Sequence, residues 1–287
     1  RRLIKAFAQA GYDYATYHGS DFGFPAAAHA SAQTISLNDG FVITDRASLE
    51  KYAWKKPDDH DYSLAEKIAP ELPAGMKLVI CGPGGVLENV IRLVGYDNLC
   101  FMSADDPKLT EDIFAAVGSR LVRHYEIVAP MSTGGACISN DDWGFKTQTM
   151  LAPADMRKYV FSWHKKIVAA IHAAGKPAIL HSCGYYGEIM DDVITDMKYD
   201  GRHSYEDTIE PVEKAYDTYG RRIAILGGID LDFICRSKAA EVKKRSRAMI
   251  ERSAAGGSYG LGTGNSVPEY VPREGYFAMI EAAVEGR

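Results

Sequence analysis

The strongest constraint on this chain is the regular alternation of strand and helix signals through its second half. Apolar residues recur at helical spacing in "PADMRKYVFSWHKKIVAAIHAAG", with Pro153 near the start and Gly175 past the end, the punctuation that helix termini favour. A buried strand, "KPAILHSCG", follows. "EIMDDVITDMK" is then helical, "YDGRHSYED" a strand, "EPVEKAYDTYG" helical to Gly220, and "RIAILGGID" the clearest strand of all. "KAAEVKKRSRAMIERSAAGG" is a helix, "SYGLGTGNS" a strand ending in glycines, and "REGYFAMIEAAVEG" a closing helix. Strands that alternate with helices build βαβ units and a parallel sheet.

The first half is less regular. "YDYATYHG", "MKLVICGPGG" and "GACISNDDWG" are strand candidates, while "DNLCFMSADDP" reads as either a strand or a helix start. That gives seven or eight parallel strands, and a single (β/α)8 TIM barrel over residues 1–287 is the expected fold. Residues 38–76 contain turn residues, a short "FVITD" strand signal and a polar helix. The stretch is long for a βα loop and is expected to be an insertion covering the barrel mouth. The chain opens inside a helical pattern without an initiator methionine. It is therefore expected to be trimmed, with the first strand beyond Arg1 if "DNLCFM" is helical.

Composition excludes several classes. The net charge of −5 over 287 residues lacks the basic footprint of a nucleic-acid binder, and no apolar run is long enough to span a bilayer. The five cysteines are odd in number and scattered. A disulfide framework is not expected, and a reducing cytoplasm is the expected compartment.

In a parallel barrel, chemistry gathers at the C-terminal ends of the strands. Here those ends read "YHGSD", "CGPGG", "SNDDWG", "LHSCG", "RHSYED", "LGGID" and "LGTGN". Nearly all carry ionisable residues followed by a turn. His181 and Cys183, two apart on a strand, face the same side. An imidazole and a thiolate suit zinc, with Zn–N about 2.0 Å and Zn–S about 2.3 Å. The pair is either the start of a metal site or a hydrogen-bonded histidine beside an inert buried cysteine. Zinc would need a further protein ligand, and His203, Glu206, Asp230 and Asp142 stand on neighbouring tips. Asp142 is a ligand, a proton acceptor or a helix cap; Asp230 orients a ligand or caps the next helix. Trp143, read as exposed, suggests a wall for a planar ligand. "CGPGGVLENV" offers a helix N-terminus to an anion but lacks the phosphate-loop lysine.

Taken in order, "NDDWGFKTQTMLAPADMRKYVFSWHKKIVAAIHAAGKPAILHSCG", "ILGGID" and "GSYGLGTGNSVPEYVPREGYFAMIEAA" resemble the uroporphyrinogen decarboxylase superfamily. The resemblance runs over roughly residues 75–287. It implies a (β/α)8 barrel and one of two chemistries: decarboxylation in haem synthesis, or methyl transfer with corrinoid proteins. The histidine-x-cysteine pair at His181 and Cys183 is similar to the zinc motif of the methyltransferase branch. Where coenzyme M methyltransferases place a third zinc-binding cysteine, Thr263 stands here.

The resemblance therefore implies a methyltransferase of O-demethylase type. It would move a methyl group from a small methoxylated, often aromatic, substrate to the cobalamin of a partner corrinoid protein. His181 and Cys183 would hold zinc, and Asp142, His203 and Asp230 would be catalytic. Trp143, Tyr185, Tyr186 and Thr263 would line the substrate. The alternatives are a decarboxylase with arginines lining the cleft, or a barrel that binds a small ligand without chemistry.

Overall fold

The computed structural model describes residues 1–26 and 36–285. Seven strands, β1 (Tyr14–His18), β2 (Lys77–Cys81), β3 (Gly134–Asn140), β4 (Ala178–His181), β5 (Gly201–His203), β6 (Ala224–Leu226) and β7 (Tyr259–Gly260), form one sheet in sequential order. Every neighbouring pair is parallel. The sheet curls, because Tyr14 at the start of β1 and Tyr259–Leu261 at β7 line one cavity of about 330 Å³. Among the described residues β1 and β7 share no ladder, so what is seen is a curled seven-stranded α/β sheet without a closing eighth strand.

Helices fill the crossovers. They are α1 (Arg2–Gln9), α2 (Arg46–Lys51), α3 (Leu64–Lys67), α4 (Val86–Val94), α5 (Tyr96–Asp105) and α6 (Pro107–Val128). Beyond β3 come α7 (Pro153–Asp155) and α8 (Ser162–Ala173), joined by a π-helical turn at Met156–Phe161. α9 (Val212–Tyr219), α10 (Leu231–Arg236), α11 (Ala239–Ser253) and α12 (Arg273–Val284) complete the chain. The core joins the two layers: Leu78, Ile80, Leu180 and Ile225 from the strands are fully or almost fully buried, as are Val117, Leu121, Ile167 and Ile171 from α6 and α8. Burying each such side chain contributes about 1.5–3 kcal/mol.

Two expectations change. "DNLCFM" lies in α5, because its buried residues Leu99 and Met102 are three apart while Phe101 between them is 70% exposed; that is helical spacing, not strand alternation. "FVITD" forms no strand. The N–H groups of Val42 and Ile43 both donate to the Leu93 carbonyl at the end of α4. The rest of 38–76 is laid along α6: Arg46 pairs with Asp112, Arg120 stacks over Trp54, Arg123 grips Asp58, and Glu66 accepts from Ser132 just past the helix. This stretch is the crossover between β1 and β2, and it also reaches the segment just past the β1 tip, where His60 bonds Asp21 and Trp54 meets Phe24.

Candidate metal centre

Register brings the chemistry together. Asn140 of β3 pairs with His181 of β4, and His181 pairs with His203 of β5. Two residues beyond Asn140 comes Asp142; two beyond His181 comes Cys183. A carboxylate oxygen of Asp142, a ring nitrogen of His181 and the Cys183 sulfur all lie within 4.8 Å of one another, each half-buried. Of the four residues expected to complete the histidine–cysteine pair, the structure brings Asp142 to it.

The main chain fixes this spacing. Cys183 N–H donates to Asp142 Oδ1 at 2.8 Å, Gly144 N–H to the Cys183 carbonyl at 3.2 Å, and Tyr185 N–H to the Phe145 carbonyl at 2.7 Å. The two loops touch backbone to backbone at Gly144 and Gly184. Gly184 has φ +82, and a Cβ there would sit 2.0 Å from the Gly144 oxygen, so no larger residue fits.

Each donor has its own support. Asn265 Nδ2 donates to the Cys183 sulfur at 3.2 Å and Ser204 Oγ at 3.5 Å. Burial and the Asp142 carboxylate together push the Cys183 thiol up to about 11. A cation among the donors is what would turn it into a thiolate. Burial lowers the pKa of His181, with Asp142 opposing. His203 meets His181 edge to edge, with ring centres 4.9 Å apart, its Nδ1 lying 2.7 Å from His181 Nδ1 and its Nε2 3.1 Å from the Thr263 carbonyl. Burial holds His203 down at about 4. It is therefore a neutral partner of His181.

Several expected site residues serve the fold instead. Trp143 is fully buried against Phe161, His164 and Tyr186, so it walls no ligand. Tyr186 is 1% exposed and covers the Arg202 guanidinium, 3.9 Å from its ring centre. Asp230 caps α10 through Phe233 N–H and takes a second bond from Asp207 N–H. Thr263 spends its hydroxyl on the Asn265 carbonyl. Glu206 lies in a separate cavity of about 460 Å³ with Asp230, Phe233 and Asn265. Tyr185 is half-buried beside Phe145, which is 37% exposed and meets Tyr96 edge-on. These are the less buried rings on the two loops that carry Asp142 and Cys183.

A family model described as uroporphyrinogen decarboxylase (URO-D) matches residues 43–286. The chain belongs to the uroporphyrinogen decarboxylase family. No curated protein matches it. Among solved structures, a methyltransferase from Methanosarcina mazei is similar at TM-score 0.69 with 14% identity, over 99% of this chain and 83% of that one. A putative vitamin-B12-independent methionine synthase from Listeria monocytogenes is similar at TM-score 0.53 with 11% identity, over the same shares. At such identities the likeness is one of fold.

Within this uroporphyrinogen decarboxylase-family fold, sequence reasoning missed Glu88. Its Oε2 accepts from Gly85 N–H at 2.8 Å and from Asn140 Nδ2 at 2.5 Å. Burial, with Asp141 and Asp142 nearby, pushes its carboxyl up to about 7. The signal was available: Glu88 stands three residues after Gly85, where a helix start expects a carboxylate. What the sequence hides is that α4 begins beside β3, since Asp141 caps it through Leu87 and Glu88 N–H.

Proposed function

We propose that this chain is a methyltransferase of its family, moving a methyl group from a small methoxylated aromatic substrate to the corrinoid of a partner protein. The observation that carries this reading is the cluster of one carboxylate, one imidazole and one thiol at adjacent strand tips. Three different donors with no fourth from the described residues match the pattern of catalytic zinc, which keeps a position for substrate or water. The donor set is also supported from outside, by His203 on His181 and by Asn265 and Ser204 on Cys183, as metal ligands usually are.

Zinc bound there supplies Lewis acidity, which makes an ether oxygen a better leaving group. One thiolate and one carboxylate together neutralise its two charges, and an oxygen ligand suits such a site. The chain's own residues do the rest. Tyr185 and Phe145 offer faces for an aromatic ring to lie on. Glu88, with its carboxyl near neutrality, is able to hold a proton for the departing aryloxide. The strand tips form the surface on which a cobalamin-carrying partner would dock. No helix among the described residues is long and apolar enough to cross a membrane.

The decarboxylase alternative calls for arginines offered to substrate carboxylates. Arg202, next to His203, is instead buried between Tyr186 and Tyr205. A methyl-transfer assay against a panel of methoxylated aromatics, with reduced corrinoid as acceptor, tests the reading. Demethylation that disappears on metal removal is expected. No transfer from any donor, combined with decarboxylation of a tetrapyrrole, would overturn it.

A further inference from the structure

We infer that His203 is a positioning residue that sets the tautomer of His181, through a hydrogen-bond relay anchored on the Thr263 carbonyl, so that His181 Nε2 presents a lone pair to a metal. The inference rests on the metal reading above and adds how that nitrogen is prepared.

The argument follows from which atoms can donate. A carbonyl oxygen only accepts, so the 3.1 Å contact with Thr263 requires a proton on His203 Nε2. A neutral imidazole has a single N–H, so His203 Nδ1 is left as an acceptor. Its neighbour at 2.7 Å is His181 Nδ1, which must then be the donor. With the His181 proton on Nδ1, its Nε2 is bare, and that is the atom 3.8 Å from the Cys183 sulfur. The opposite arrangement needs a second proton on His203, placing a cation in a half-buried ring pair beside the position a metal would take. Metal-bound histidines commonly have the other ring nitrogen fixed in this way. Here the anchor is a main-chain carbonyl at the third-ligand position noted in the sequence. Thr263 contributes no side-chain ligand, and its backbone still orders one.

Two variants separate the hydrogen bond from ring packing. His203→Phe keeps an aromatic ring against His181 and removes the acceptor. His203→Asn removes the ring and keeps an oxygen near the Nδ1 position. Cobalt(II) affinity, read from thiolate-to-cobalt absorption of the full chain, should fall about 10–100-fold in His203→Phe and stay close to wild type in His203→Asn. The reverse order would show that ring packing matters, and would overturn the relay. Nitrogen-15 spectra of the metal-free wild type give a second reading that needs no metal and no variant. His181 should be protonated on Nδ1; a proton on Nε2 sinks the relay whatever the metal does. If the tautomer is as stated but the wild type takes up no cobalt, the relay stands and the metal reading falls.

Discussion

Asp141 and Asp142 are adjacent in the chain and serve opposite regions of the molecule. Asp141 turns behind the strand tip and is fully buried. Its two oxygens accept from Leu87 N–H, Glu88 N–H and His164 Nε2, and His164 is held in turn by Tyr199 at 2.6 Å. Asp142 turns the other way, half-buried, toward His181 and Cys183. One carboxylate takes three bonds from fixed donors inside the fold. The other takes one main-chain bond and keeps an oxygen within reach of a ligand. The residue that would bind is the one whose hydrogen bonding the fold leaves incomplete.

Substitution at the two positions should therefore separate stability from binding. Asp141→Asn turns an amide N–H₂ toward groups that are themselves donors and leaves a buried donor unsatisfied, a loss of about 1–3 kcal/mol. Denaturant unfolding should show it, and a change below the range of ordinary surface substitutions would mean that the buried network is not formed. Asp142→Asn keeps an oxygen for Cys183 N–H. Unfolding of the metal-free protein should move by no more than about 1 kcal/mol. Cys183→Ser should act in the same direction: bound metal, measured by elemental analysis of purified protein, should drop from near one equivalent to background while the fold survives. Retention of both metal and activity in that variant would remove Cys183 from the site.

Glu88 is raised first by burial and then by the charge of both aspartates, and its pH dependence probes that surrounding. Its folded value of about 7 lies above the ordinary 4.5. The folded protein thus holds a proton that the unfolded chain releases. The stability this contributes is fully present below about 4.5 and is lost as pH rises through about 7. Metal-free Glu88→Gln should lack that decline and be the more stable form at pH 8 in thermal melts. Equal slopes in both proteins would show that the carboxyl is not perturbed. The smallest effect belongs to the flank. Asp58→Ala, which removes an exposed partner of Arg123, should leave the unfolding midpoint and the metal content where they are in the wild type.

What could be read from the sequence divides along similar lines. The parallel alternating architecture and the pairing of His181 with Cys183 depend on local periodicity, and a single strand carries both. Asp142 could be named only as one of four candidates, because choosing among them needs the register of β3 against β4. Trp143 was misread as exposed. A strand's alternation ends at its last paired residue, here Asn140, and nothing local tells which way the third side chain beyond it turns. His203 is legible only as a candidate ligand or catalytic group, since a sequence shows neither its ring partner nor the Thr263 carbonyl 60 residues away. Asp230 stood equally between cap and ligand, and only the observed bonds to Phe233 and Asp207 decide it.

The contact of Gly144 with Gly184 has a consequence for engineering. The gap between carboxylate and sulfur is gauged by main chain pressed on main chain, with no side chain between to act as a shim. Enlarging or trimming residues in the hydrophobic interior should leave that gauge almost unchanged. Adding a single methyl group at either glycine would force the two loops apart. The rings of Phe145 and Tyr185 can therefore be replaced without moving the donors, provided the two glycines beside them are left as they are.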